Sequence, residues 1–265
     1  MLKRNNIYEG DALELLKKVA DSSVDLIIAD PPYGIAKDKE FNVGINWTLK
    51  NKDQWLAWSE TWLKESHRVL KDGGSIFVYG IHHNIGYIQH ILYELGFTYG
   101  RMFIWHYKNG FSTYKNYPAA TYEPILWFHK GAGHTYHPIR EPYLSTERLK
   151  STITKNGKVW KPNPLGKHAG DIWEIPTLAG KRFAGEKLPH PTQKPLAICD
   201  RIVENFSNKG DLVLVPFAGS GSECVSAKNN DRDYIGFELN PTYVKMANER
   251  IAVAVSQEKL DLGQS

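Results

Sequence analysis

Two short stretches hold residue types that could do chemistry. The first is V-P-F-A-G-S-G-S-E, residues 215–223. It follows an apolar run and precedes a helical pattern, so Gly219 and Gly221 stand where a strand hands over to a helix. Lacking a Cβ, glycine lets the backbone approach a ligand closely at such a point. Glu238 lies about 20 residues on, at the end of the next apolar run, where an acid commonly takes ribose hydroxyls. This spacing suits an adenosine-containing cofactor; the bland alternative is an ordinary tight turn. A nicotinamide dinucleotide asks for a third glycine where Cys224 stands, and no G-K-[ST] follows to make a phosphate loop. With no pyrophosphate to cradle, S-adenosylmethionine becomes the attractive cofactor. The second stretch is I-I-A-D-P-P-Y, residues 27–33. With Leu26 before them, four apolar residues run into Asp30, a rigid Pro31-Pro32 hinge and the aromatic ring of Tyr33. Alone, it is either a strand-ending turn or a site that fixes an acid beside a flat face.

The elements that must position these stretches alternate between short strands and amphipathic helices. Residues 10–20 read as a helix with Leu13, Leu16 and Ala20 on one stripe. Residues 24–30 form a strand whose stretch Leu26–Ala29 is wholly apolar, as in a parallel sheet buried on both faces. A long helix spans 53–70, with Asp53 as its N-cap and Trp55, Trp58, Trp62 and Val69 to one side. Residues 71–74 turn into a strand at 75–80. A helix over 83–95, closed by Gly96, and strands at 101–107 and 123–130 follow. Later come a helix over 194–207, a strand from 211 ending in the glycine turn, and a helix over 222–230. A strand at 233–239 and a last helix over 240–254, with Pro241 near its start, complete the series. The alternation predicts an α/β fold: a doubly wound, mostly parallel, Rossmann-like sheet.

From 131 to 189 glycine and proline are frequent and apolar periodicity is lost. Arg148, Lys150, Lys155, Lys158, Lys161 and Lys167 fall between 148 and 170 with no acid among them. The chain divides accordingly into 1–130, an insertion at 131–189, 190–255 as the second half of the main domain, and a fraying tail at 256–265. The 265 residues carry a net charge of +4, a mild lean toward an acidic partner. Cys199 and Cys224 have neither disulfide nor zinc spacing, which suits a reducing cytoplasm. No apolar run approaches the length of a membrane span. His129, His134 and His137 are too loosely spaced to read as a metal site.

Taken together, D-P-P-Y at 30–33, the F-A-G-S-G turn at 217–221 and H-P-T-Q-K-P at 190–195 resemble the S-adenosylmethionine-dependent amino-group DNA methyltransferases. Their order, with the basic insertion between, is that of the β class, and Y-E-G-D-A-L-E-L-L at 8–16 is similar to the segment preceding D-P-P-Y there. The resemblance covers about residues 5–252. It implies a methyltransferase sheet with an inserted target-recognition region, DNA as partner, and methyl transfer to the N6 amino group of a flipped-out adenine. Cytosine-N4 transfer stays open. Asp30, Pro31, Pro32 and Tyr33 are the implied catalytic residues: Asp30 and the Pro31 carbonyl accept hydrogen bonds from the amine, and Tyr33 stacks on the base. Asp11 and Glu238 are implied for the cofactor's adenosine, Phe217, Ala218, Gly219 and Gly221 for its methionine part, and Thr192 and Lys194 for its carboxylate, with Asp30 at the cofactor's edge as well.

The six basic residues of the insertion are the implied phosphate contacts. Tyr143, Trp160 and Trp173 are interleaved with them; for the two tryptophans the reading favours a small subdomain core over stacking on bases. Glu123 either supports the catalytic pocket or merely starts a strand. No metal is implied. A homodimer is common in the family, and whether a restriction endonuclease accompanies this chain is not written in its sequence. One departure stands out: the family carries Asp where this chain has Val215. A weakly active DNA-binding relative is therefore the alternative from another class, with a nicotinamide oxidoreductase a more distant third.

Overall fold

The computed structural model of the protein describes residues 2–33, 52–109, 115–116 and 118–254. In chain order the main-domain elements begin with β1 (Asn6–Glu9), α1 (Ala12–Leu16), β2 (Val24–Ala29), α2 (Lys52–Val69) and β3 (Leu70–Tyr79). Next come α3 (Ile85–Glu94), β4 (Thr98–His106) and β5 (Tyr122–His129), followed by the short strands β6 (Arg140–Glu141), β7 (Ile153–Lys155), β8 (Lys158–Trp160), β9 (Lys167–His168) and β10 (Ile172–Glu174). The chain closes with α4 (Leu196–Phe206), β11 (Leu212–Val215), α5 (Ser222–Asn229), β12 (Asp233–Glu238) and α6 (Pro241–Val253).

Eight strands make one sheet in the order β1-β12-β11-β2-β3-β5-β4-β10. Every neighbouring pair is parallel except the two that β5 makes with β3 and β4. Side chains alternate across the pleat and build a core on each face. Ile27, Ala29, Ile76, Val78, Leu212 and Leu214 point to the face covered by α1, α2 and α3. Leu26, Ile28, Phe77, Tyr79, Val213 and Val215 point to the face covered by α4, α5 and α6. The sheet is therefore wound on both faces, as the alternation of the sequence predicts.

Several boundaries differ from those read in the sequence. Residues 6–9 form an edge strand that four residues of mixed polarity did not announce; its register on β12 (Asn6 beside Ile235, Glu9 beside Glu238) supplies the order. The first helix stops at Leu16, because Lys18 and Val19 donate to the carbonyls three residues back, at 3.0 Å each, and tighten the chain into a turn. Asp53 lies inside the first turn of α2 and favours its positive end, without being the first residue of the helix. The expected turn at 71–74 is absorbed into β3 as an irregularity in its pairing with β2: Gly73, at φ 80°, donates to the Lys130 carbonyl at 2.7 Å. At the other end of the chain the capping was legible, since Asn240 accepts from the Thr242 N–H at 2.9 Å and Pro241 opens α6.

Within 131–189 two small antiparallel pairs form, β6 with β9 and β7 with β8. Residues 172–174 belong instead to the main sheet, where β10 runs parallel to β4 as its edge. Trp173 is 2% exposed and lies 4.4 Å from Phe103 in the core, whereas Trp160 is 62% exposed. The expected subdomain core is met by neither: Trp173 is buried in the core of the main sheet, to which β10 belongs, and Trp160 stands on an exposed hairpin. No helix among the described residues is long and apolar enough to cross a membrane. Both cysteines are buried as free thiols.

Candidate active site

The sheet order reverses its winding between β2 and β11. From β2 the chain proceeds outward to β3, and from β11 it proceeds the other way to β12. Such a switch point opens a crevice at the carboxyl ends of the strands, where ligands of open α/β sheets bind. Val213 pairs with Leu26 and Leu214 with Ile27, so continuing the register three residues sets Phe217 level with Asp30. The two stretches singled out by their residue types therefore face each other across one crevice.

The turn after β2 is clamped from two elements. The Trp55 indole of α2 donates to the Pro32 carbonyl at 2.9 Å, and the Asn84 amide donates to the Tyr33 carbonyl. Asn84 occupies the N-cap position of α3 yet makes no side-chain cap bond, its amide being committed to the turn. Lys194, only 4% exposed, sits in the middle of the resulting pocket. Its ammonium lies 2.9 Å from Asp30 and 3.5 Å from Glu123, and donates to the Tyr33 hydroxyl at 3.0 Å. The Tyr33 hydroxyl donates in turn to Asp30. Burial works against the Lys194 charge, but Asp30, then Tyr33 and Glu123, outweigh it and hold the ammonium well above the usual lysine range. Burial, reinforced by Asp30, pushes the Tyr33 phenol well up, so it stays a proton donor. Burial also raises Glu123, against the pull of Lys194. Lys194 is thus bound into the Asp30 turn while also lining the cleft, and Glu123 belongs to the same cluster rather than merely starting β5.

Across the crevice the glycine turn is shaped by two close approaches. Gly219 (φ 50°) and Gly221 (φ 77°) both have left-handed backbone, and a Cβ on Gly221 would lie 2.8 Å from the Ala247 methyl of α6. A side chain at Gly221 would push α6 away, one at Gly219 would press on the His190 ring at 3.0 Å, and either would strain the turn. Glu238 at the end of β12 accepts from the Gly219 N–H and the Asn240 N–H, at 2.8 Å each. Burial raises its carboxyl, opposed by these backbone donors. Ser222 ties the turn to the H-P-T-Q-K-P segment: its hydroxyl donates to the Lys194 carbonyl at 2.8 Å and accepts from Arg250 at 2.8 Å.

Thr192, Ala218, Gly219, Asp30, His190 and Glu223 line the cleft between the two stretches, with Phe217 at its edge. The Phe217 ring packs on Trp58 and Trp62 of α2, at 5.5 and 5.4 Å. His190 is pushed down to about 4 by burial, so its ring is neutral at physiological pH. Val215 is fully buried in the apolar core of its face. Asp11 caps α1, accepting from the Leu13 N–H at 2.8 Å; it follows β1, the strand next to Glu238. Trp55, Asn84, Arg250 and Glu223 are the site residues that sequence reasoning passed over.

The basic residues gather elsewhere. Lys155 and Lys158 flank the Asn156-Gly157 turn of the β7–β8 hairpin, and both strands are exposed throughout. Lys161 and Lys167 are also exposed; Lys150 is paired with Glu147 at 2.6 Å, and Arg148 donates to the Ser151 carbonyl at 3.3 Å. Of the three histidines dismissed as metal ligands, His129 accompanies His134 at 4.4 Å and His137 meets the Asn208 side chain at 2.9 Å.

A doubly wound sheet with an acid–proline turn facing a glycine turn defines an enzyme-like nucleotide crevice, and comparison with known proteins gives it a class. Residues 24–249 match the N6_N4_Mtase family, described as DNA methylase. The chain belongs to this DNA methylase family. Among its relatives, the Type II methyltransferase M1.MboII of Moraxella bovis is 32% identical over 258 residues, spanning 94% of this chain and 96% of the relative. The DNA adenine methyltransferase YhdJ of Escherichia coli (strain K12) is 36% identical over 254 residues, spanning 94% and 83%. The solved structure of an M1.HpyAVI–SAM complex superposes with a TM-score of 0.61 at 27% identity, covering 92% of this chain and 98% of that one.

Proposed function

We propose that this DNA methyltransferase moves a methyl group from S-adenosylmethionine to the N6 amino group of adenine in DNA, acting on a base turned out of the helix. The observation that carries the reading is the meeting of the Asp30 turn and the glycine turn at one crevice. The residues present fit the cofactor. Gly219 brings backbone to the crevice without a side chain, and Gly221 lets the same turn pack closely against Ala247 of α6. Each Glu238 oxygen holds one backbone N–H and retains a lone pair for a ribose hydroxyl. Bound there, the cofactor supplies an electrophilic methyl group on a sulfonium.

The chain's own residues do the rest. An exocyclic amine is a poor nucleophile, because its lone pair is delocalised into the ring. Asp30 accepts a hydrogen bond from that amine, and the Pro31 carbonyl, aimed by a fixed backbone, accepts a second. Both acceptors stabilise the positive charge that develops on nitrogen. Lys194 and Tyr33 orient the Asp30 carboxylate, and the Tyr33 ring offers a face to the extruded base. Adenine is favoured over cytosine-N4 by D-P-P-Y and by the likeness to YhdJ, a named adenine enzyme. The Type II relatives support a place in DNA modification beside a restriction endonuclease.

For DNA we assign the insertion. A two-stranded ribbon fits the major groove, roughly 12 Å wide, and the β7–β8 hairpin carries Lys155 and Lys158 at its tip with exposed Trp160 at its base. Lys161, Lys167, Lys150 and Arg148 extend the same basic stretch toward phosphates. Sequencing DNA from cells that express the protein, with detection of modified bases, tests the whole reading: N6-methyladenine is expected, and N4-methylcytosine would reassign the base. Asp30→Ala should slow single-turnover transfer at least about a hundredfold, as about 3 kcal/mol of lost transition-state stabilisation requires. Unimpaired transfer would remove Asp30 from the chemistry.

A further inference from the structure

Glu223 is the acid the mechanism above leaves unused. It lies in the first turn of α5, is 4% exposed, and lines the cleft beside Gly219 and Asp30. Its Oε1 has no hydrogen-bond partner. An unsatisfied buried carboxyl oxygen is costly, on the order of 1–3 kcal/mol or more, so its retention calls for a ligand. Lys194 is engaged with Asp30, Glu123 and Tyr33, whereas Arg250 bonds Ser222 and the Ser220 carbonyl through Nη1 and holds its buried Nη2, without a hydrogen-bond partner, 3.8 Å from Glu186. The charges that act on Glu223 are Asp30, Lys194 and Arg250; Tyr79, Cys199 and Cys224 are the neighbouring groups that sense it. Neither cation hydrogen-bonds Glu223 Oε1, which is left open to a further donor.

S-adenosylmethionine carries two positive centres, the sulfonium and the α-ammonium of its methionine part. The sulfonium must lie toward Asp30 and Tyr33, where the amine arrives. Glu238, with its backbone donors, suits ribose hydroxyls. Among the described residues two acids line the cleft, and while both Asp30 oxygens are engaged, by Tyr33 and by Lys194, Glu223 keeps Oε1 unpartnered. We propose that Glu223 is the ammonium subsite, the carboxylate that receives the α-amino group of the cofactor. This rests on the S-adenosylmethionine reading and assigns a residue to one group of that ligand. Burial, reinforced by Asp30, raises the Glu223 carboxyl to about 7. An arriving ammonium would favour ionisation, so binding near neutral pH expels a proton and strengthens as pH rises from 6 to 8.

Two ligands separate this subsite from the rest of the crevice. S-adenosylhomocysteine carries the amino acid part, and 5′-methylthioadenosine lacks it. By calorimetric titration at pH 8, Glu223→Gln should weaken S-adenosylhomocysteine roughly tenfold or more, as a lost charge-assisted hydrogen bond implies, and change 5′-methylthioadenosine less than twofold. Equal losses for both ligands, or no loss for either, overturn the proposal. The wild type supplies a check that needs no variant. At pH 7, S-adenosylhomocysteine should release a fraction of a proton, read from the dependence of binding heat on the buffer's ionisation enthalpy, and 5′-methylthioadenosine should release none. An absence of proton release also overturns it. Should neither ligand bind the wild type at all, the cofactor reading itself fails, an outcome distinct from a wild type that binds both without discrimination by Glu223.

Discussion

Before any ligand arrives, Glu223 should make the protein's stability depend on pH in a way one substitution abolishes. Its carboxyl titrates at about 7 in the folded chain, against a reference of 4.5. Between these values the folded state keeps a proton that the unfolded state has lost. The group's contribution to stability is therefore complete below 4.5 and is lost as pH rises through 7. At about 1.4 kcal/mol per pH unit, the interval amounts to about 3 kcal/mol. Glu223→Gln keeps the shape and resembles the protonated acid, so it removes the dependence. Urea unfolding of both proteins at steps from pH 4.5 to 8 reads the effect. The variant should gain on the wild type steadily above pH 4.5 and lead by about 3 kcal/mol near pH 8. Glu123, Asp200, Glu204 and Glu238, whose carboxyls burial also raises, titrate in both proteins and cancel in the difference. Two stability curves that stay parallel across this range would refute the reasoning.

Three further outcomes bear on the site. Lys194→Met strands Asp30 and Glu123 without their ammonium and should cost about 3–5 kcal/mol of stability; combined with Asp30→Asn the loss should fall well short of the sum, and strict additivity in denaturant unfolding would show that the pair is not coupled. Glu238→Ala should weaken S-adenosylmethionine by about 1.5–3 kcal/mol, so an unchanged calorimetric affinity would take Glu238 out of the site. Replacing Lys155, Lys158 and Lys161 together by Gln should lower the slope of DNA affinity against salt by about one per lost phosphate contact, with cofactor binding spared; an unaltered slope would mean those lysines do not meet phosphate.

The doubly wound sheet was legible because apolar runs such as Leu26–Ala29 and Leu212–Val215 have no polar face, as in strands covered on both sides of a sheet. The crevice was legible because glycines and an acid–proline turn mark strand ends by backbone need. What joins its two sides was not. Nothing near Lys194 in the chain says that it reaches back to Asp30 and to Tyr33, the latter 161 residues away. Trp55 and Asn84 act through single side-chain donors to backbone carbonyls, interactions that leave no period in a sequence. Trp160 was misjudged because the pattern of a β-hairpin, K-N-G-K with short arms, tells its pairing and not whether anything packs beneath it.

The β6–β9 pair has an architectural consequence. Arg140 lies opposite His168 and Glu141 opposite Lys167, so the chain departs and returns at one point. Gly166 closes that gate, at φ 103°, where a Cβ would sit 2.2 Å from the Glu141 carbonyl oxygen. Beyond it, β10 resumes the main sheet with Trp173 seated in the core. Residues 142–165 are therefore a cassette with a fixed socket. An excursion of another length or composition can be grafted between the same two strands without shifting β4, β10 or the crevice at the ends of β2 and β11. Variation in what the protein touches at its periphery is thereby uncoupled from variation in its chemistry, and a lineage built on this plan can diversify the one while holding the other constant.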